Sequence, residues 1–290
     1  MWLRFGSAHR PPVAERSRSH HKQKYMKNRI NQLFEKKDRD ILSVYFTAGY
    51  PNLNDTVPII EMLESNGVDL IEIGMPFSDP TADGPTIQQS SDVALKNGMS
   101  LDVLFHQLAE IRKKVQLPLI LMGYINPVLQ YGVERFCKSC YDIGIDALIL
   151  PDLPLDEFNL HYRKYFEQNR LHNILLITPQ TSNERIIDID RQSGGFIYMV
   201  SSSATTGAGK KVEDFQTGYF SRVKTLNLKN PTLIGFGISD RATFENACNY
   251  ANGAIIGSAF VKALQQPDSL QKNIENFVKS IIGESSEFIQ

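Results

Sequence analysis

The sequence predicts an α/β fold: a single (β/α)8 (TIM) barrel with an extra N-terminal helix. From residue 41 onward, eight short apolar runs rich in β-forming residues alternate with longer amphipathic stretches. The runs are almost continuously apolar, as parallel strands covered on both faces must be. Eight such units in roughly 240 residues match this barrel in count and size. A doubly wound open sheet would more often show about six strands and a Gly-rich first turn, which "GSAHR" and "GAGKK" do not supply.

Taken in order, "MKNRINQLFEKK" (26–37) reads as a short helix with Ile30, Leu33 and Phe34 on one face, suited to plugging the barrel's N-terminal end. The predicted strands are "ILSVYFTAG" (41–49), "VDLIEIGMPF" (68–77), "LPLILMGY" (117–124), "IDALILPD" (145–152), "NILLITP" (173–179), "GGFIYMVSSS" (194–203), "NPTLIGFGIS" (230–239) and "NGAIIGSAF" (252–260). Helical stretches such as 101–116 and 212–227 separate them, and Asn54-Asp55 and Ser182-Asn183-Glu184 are helix start signals.

Residues 1–25 stand apart. Arg4, Arg10, Arg16, Arg18, Lys22 and Lys24 against Glu15 give a balance of +5, within a chain whose net charge is −1. The segment lacks an apolar h-region, so it is no secretory signal. A disordered extension, sequence upstream of a start at Met26 and an Arg-rich transit peptide remain open, and the barrel domain is placed at 26–290. The near-neutral whole offers no electrostatic footprint for nucleic acid, and runs such as 117–125 are too short to span a bilayer. Three cysteines make no disulfide framework and point to a reducing compartment, the cytoplasm. Cys137 and Cys140 fall inside a helical pattern, where burial is the expectation over redox or metal chemistry.

In such a barrel the chemistry sits at the C-terminal strand ends and the loops after them. The predicted strands carry no Lys, Arg or His, with His106, His161 and His172 assigned to helical or connecting stretches. That disfavours a Schiff-base lysine and a strand-end metal centre, so no metal is expected. The exception among apolar strand residues is Glu72. Period-two alternation puts Ile71 and Ile73 against the helices, and Leu70, Glu72 and Gly74 inside the barrel. A desolvated carboxyl there has a raised pKa and can exchange a proton near neutral pH. The alternative is a buried Glu satisfied by Tyr, Ser or backbone.

Two loop carboxylates follow. Asp83 is either a functional group or the cap of the next helix, with Pro85 in its first turn, and Asp79 before Pro80 is either functional or a turn residue. Glycine-bearing segments after strands 6, 7 and 8 ("SSSATTGAG", "GFGIS", "IIGSAF") suit a phosphate held by backbone N–H groups. Phe46, Phe77, Tyr124 and Tyr198 at strand ends suit either core packing or a flat aromatic substrate.

The segment "IEIGMPFSDPTADGPTIQ" (71–88) resembles the signature of the tryptophan synthase α chain family. The resemblance runs from Met26 to about Ile282 and includes "YFTAGYPN", "LMGYINPV", "LILPDLPLDE", "GFIYMVSSSATTG", "GFGIS" and "GSA". It implies a lyase of L-tryptophan biosynthesis that cleaves indole-3-glycerol phosphate to indole and glyceraldehyde 3-phosphate. By position, Glu72 would be the general acid/base and Asp83 the partner of the indole N–H. Phe46, Met122, Tyr124 and Tyr198 would surround the substrate, Thr206 would bond the loop aspartate on lid closure, and Gly207, Gly237, Gly257 and Ser258 would hold the phosphate. The resemblance also implies no cofactor in this chain. The partner would be a pyridoxal-phosphate β chain in an α2β2 complex, contacted through the 78–83 loop and Asn126-Pro127. A stand-alone indole-releasing lyase and a catalytically weak allosteric partner are the alternatives. Thr81 stands where the family usually has an aliphatic residue, and "VSSSATTG" lacks the arginine that many members carry.

Overall fold

The computed structural model describes residues 28–201 and 210–283. Their strands form one parallel sheet that curls on itself: β1 (Ile41–Thr47), β2 (Leu70–Gly74), β3 (Leu119–Met122), β4 (Ala147–Ile149), β5 (His172–Asn173), β6 (Leu175–Ile177), β7 (Ile197–Val200), β8 (Thr232–Gly235) and β9 (Gly253–Ile256). The spatial order is β5-β4-β3-β2-β1-β9-β8-β7-β6. β5 and β6 are two halves of one barrel position, interrupted at Ile174, whose N–H still donates to Leu148 O at 3.0 Å. β5 pairs with β4 and β6 with β7, so the interrupted strand joins the two edges of the sheet. The eight predicted strands are all present at their predicted places.

Two apolar layers sandwich the strands. Leu42, Val44, Phe46, Ile71 and Ile73 face the outer helices in one buried cluster. Ile41, Leu70, Ile120, Ile149, Phe196, Leu233 and Ile255 fill the barrel interior in another. Burial on both faces is why the strands read as unbroken apolar runs. Each fully buried aliphatic side chain contributes about 1.5–3 kcal/mol.

The N-terminal helix Arg29–Lys36 closes the floor. Ile30 is buried in the interior cluster with Leu33 and Phe34 packed beside it, and the Phe34 and Phe196 rings lie 6.2 Å apart. Polar contacts fix its position. Asn28 Nδ2 donates to Asp146 O at 2.8 Å, and Arg29 Nη1 reaches Asp146 Oδ1 at 3.2 Å. Asp146 also accepts from Arg112 Nη2 at 2.8 Å and Leu119 N–H at 3.1 Å, which satisfies a carboxylate that is 2 % exposed.

Arg112 explains one departure from the expected helices. The 101–116 stretch is helical only over Leu101–Leu108, followed by a 3-10 turn at Ile111–Lys113. There Arg112 turns inward and donates to Leu117 O, Gly144 O and Asp146. Cys137 and Cys140 are buried on the helix Val133–Ile143, and burial pushes the Cys137 thiol up to about 12, as their helical placement implied.

His172 is a strand residue, on β5 rather than in a connection. It stands opposite Ala147 at the floor end, where its Nε2–H donates to Asn31 Oδ1 at 2.8 Å, and burial lowers its pKa to about 4. This histidine ties the floor helix to the barrel and lies away from the mouth.

Candidate active site

β2 presents its side chains as the alternation requires: Leu70 joins the interior cluster, while Ile71 and Ile73 join the outer one. Glu72 therefore faces inward and is 0 % exposed. Its Oε1 accepts a hydrogen bond from Ser43 Oγ at 3.0 Å, and its Oε2 has no partner among the described residues. Burial raises the carboxyl to about 8, against the opposing pull of the Ser43 hydrogen bond. A purely structural buried carboxyl would have both oxygens satisfied; this one keeps an oxygen in reserve.

Two adjoining cavities meet beside Tyr45, the register partner of Glu72; Glu72 itself lines neither. One, of about 330 Å³, is lined by Tyr45, Asp83, Tyr198 and Phe236 together with Gly237, Gly257 and Ser258. The other, of about 130 Å³, is walled by Met75, Phe77, Tyr124, Leu176 and Val200. Tyr45, Ala82, Asp83, Met122 and Phe236 border both, so Asp83 stands at their junction.

The loop after β2 holds Asp83 there. Asp83 does not cap the following helix Pro85–Lys96, whose N-cap is Gly84. Its Oδ2 instead accepts from the Tyr124 hydroxyl at 3.0 Å, and that hydroxyl accepts from Ala82 N–H at 2.9 Å. Burial raises the Asp83 pKa, with the Tyr124 hydrogen bond opposing. Asp79 is exposed; it accepts from Ser78 Oγ at 2.6 Å and its carbonyl accepts from Thr81 N–H, so it serves as a turn residue.

Of the residues named from the sequence, Asp83, Met122, Tyr124, Tyr198, Gly237, Gly257 and Ser258 line this mouth, while Glu72 is buried below it, close enough for its charge to act on Tyr45 and Tyr198. Thr206 and Gly207 lie outside the described residues, as does the 1–25 extension. Phe46 is a correction. Its ring is buried in the outer cluster against the helices, because β1 turns the faces of Ser43 and Tyr45 inward. Tyr45 takes the cavity position assigned to Phe46.

Sequence reasoning also missed Ser43 and Phe236. Phe236 sits between the glycines of "GFGIS" at a φ of 69°, a left-handed conformation uncommon for a non-glycine residue, with its ring 6.2 Å from Tyr198. Two close approaches shape the tyrosines. A β-carbon on Gly74 would collide with the Tyr45 hydroxyl, and one on Gly235 with the Tyr198 hydroxyl. Each ring thus lies across a glycine of the neighbouring strand. Among the described residues no cluster of three or more His, Cys, Asp or Glu side chains could hold a metal ion. No helix among them is long and apolar enough to cross a membrane.

This arrangement has counterparts. The family model described as tryptophan synthase alpha chain matches residues 31–288. The tryptophan synthase alpha chain of Flavobacterium psychrophilum is 58% identical over 254 residues, covering 88% of this chain and 99% of that protein. That of Flavobacterium johnsoniae is 59% identical over the same length and the same shares. Among solved structures, tryptophan synthase subunit alpha from Legionella pneumophila superposes with a TM-score of 0.80 at 31% identity, covering 88% of this chain and 97% of that one. Tryptophan synthase from M. tuberculosis in its aminoacrylate-bound form gives 0.77 at 30% identity, with shares of 89% and 99%. With an inward glutamate, a loop aspartate and a glycine-lined cavity on a barrel of matching sequence throughout, this chain belongs to the tryptophan synthase alpha chain family.

Proposed function

We propose that this chain cleaves indole-3-glycerol phosphate to indole and glyceraldehyde 3-phosphate by acid/base catalysis, as the α subunit of a tryptophan synthase. The observation that carries the reading is the fully buried Glu72, one oxygen of which has no partner among the described residues and whose carboxyl is raised to about 8, paired in register with Tyr45, which with Asp83 borders both cavities. An acid whose pKa lies near the working pH can both give and take a proton.

The substrate has a flat apolar end and an anionic end, and the two cavities differ in the same way. The apolar walls of Met75, Phe77, Leu176 and Val200 suit the indole ring. Backbone N–H groups at Gly237, Gly257 and Ser258 suit the phosphate. Asp83 at the junction would accept the indole N–H and stabilise positive charge developing on the ring as C3 gains a proton. Glu72 supplies that proton and takes one from the glycerol hydroxyl, so the C–C bond breaks with no covalent enzyme intermediate. These steps draw on this chain's own groups. Indole would pass to a pyridoxal-phosphate β chain docked at the barrel mouth, where Ser78, Asp79 and Asn126 are exposed.

The test is indole release from indole-3-glycerol phosphate with and without a tryptophan synthase β chain. A large rate increase on adding the β chain is expected. A high unaided rate, unchanged by the β chain, would favour a stand-alone lyase. No release under either condition would overturn the reading.

A further inference from the structure

We infer that Ser43 is a positioning residue for the proposed reaction: by holding Glu72 Oε1 from the floor side of the barrel, it makes Oε2 the oxygen that exchanges protons. The inference rests on Glu72 being the acid/base.

Three observations carry it. First, the register of β1 on β2 pairs Ser43 with Leu70 and Tyr45 with Glu72, so Ser43 lies diagonally beneath Glu72 on the same inner face. Second, both side chains are fully buried and Ser43 Oγ stands 3.0 Å from Oε1, while Oε2 has no partner among the described residues. Among the described residues no other donor sets how the carboxyl plane is turned. Without the serine that plane would rotate, because the last torsion of a glutamate is broad. Third, among the described residues no other group that faces Glu72 makes this contact. The phenols of Tyr45 on β1 and Tyr198 on β7 feel its charge, with the Asp83 carboxyl farther along the cavity. β2 and β3 carry no other titratable group, and among the described residues no cation acts on the carboxyl.

The same bond has a second effect. A hydroxyl that donates to a carboxylate favours the charged form, so Ser43 restrains the upward push that burial gives Glu72. One serine thereby selects the working oxygen and keeps the acid within reach of neutral pH.

The experiment compares wild type, Ser43→Ala and the near-isosteric Ser43→Cys, whose thiol is a poor donor. Two measurements are made on the full chain: carbon-13 NMR titration of the labelled glutamate carboxyls without substrate, and indole release across pH. In both variants the Glu72 midpoint should rise by about one pH unit, since a hydrogen bond to a charged group carries that order of free energy. kcat should fall about tenfold with KM within about twofold, as expected when a reacting group is misplaced but binding is not. An unmoved midpoint, or a moved midpoint with unchanged kcat, overturns the inference. Wild-type behaviour of Ser43→Cys beside a defective Ser43→Ala also overturns it, because volume rather than the hydroxyl would then matter. Glu72→Gln separates the two levels. If that variant stays active the acid/base reading fails, while the NMR titration still reports on the Ser43–Glu72 bond.

Discussion

The Tyr124 hydroxyl donates to Asp83 Oδ2 at 3.0 Å while accepting from Ala82 N–H at 2.9 Å, so one phenol fixes both the loop backbone and its carboxylate. Tyr124→Phe removes both bonds and leaves the ring, including its contact with Phe77 at 5.3 Å, in place. The expected outcome is a fall in kcat/KM of about tenfold from an unpinned loop, with thermal stability nearly unchanged. Asp83→Asn should cost more, about a hundredfold or beyond, because it removes the charge itself. Steady-state kinetics on the two variants checks the order.

Glu72→Gln should abolish turnover, by at least about a thousandfold, and leave substrate affinity within a few-fold. Isothermal titration with substrate, alongside the indole assay, separates the two effects.

The same substitution has a pH signature in stability. Folding raises the Glu72 pKa from about 4.5 to about 8, so the folded chain holds the proton more tightly than the unfolded one. Its contribution is therefore fully present below about 4.5, is lost progressively as pH rises to about 8, and is constant above that. Glu72→Gln removes this dependence. Melting curves should show the variant gaining on wild type between pH 5 and pH 8, a window set by those two pKa values, and a pH-independent difference would contradict it.

Gly74→Ala and Gly235→Ala test the tyrosine placements. Each adds one methyl where a phenol hydroxyl lies, so Tyr45 or Tyr198 must swing away. Both should lose activity by about tenfold or more and destabilise by about 1–3 kcal/mol from overpacking. Pairing Gly235→Ala with Tyr198→Phe, which removes the colliding hydroxyl, should relieve part of the stability loss. Chemical denaturation of the single and double variants measures that relief.

At the floor, Asp146→Asn leaves Arg29 and Arg112 facing a neutral group and weakens the Leu119 contact. A loss of about 2–4 kcal/mol is expected, with kcat near wild type at low temperature. Thermal melts and low-temperature kinetics together check that the floor serves stability rather than chemistry.

Much of this was readable from the chain. Parallel strands buried on both sides announce themselves as apolar runs, and in β2 a single charged residue marks the inward face. In β1 the run "ILSVYFT" offers two polar markers of one parity, Ser43 and Thr47, and the residue between them is Tyr45. Following that parity selects Tyr45 over Phe46; reading aromatics by type alone does not. His172 escaped notice because its strand is two residues long before Ile174 interrupts it, too short for a period to show. Phe236 was hidden by its flanking glycines, which drew the reading toward backbone groups and away from the ring between them. Pinning of Asp83 by Tyr124 spans 41 residues, and no local pattern encodes such a pair.

The floor helix carries a practical lesson for anyone shortening this chain. Among the described residues, Asn28, Arg29 and Ile30 are the first to grip the barrel, through Asp146 and the interior cluster. Trimming into them would uncork the barrel from below and offer its apolar contents to other chains, so aggregation during expression would be the first symptom.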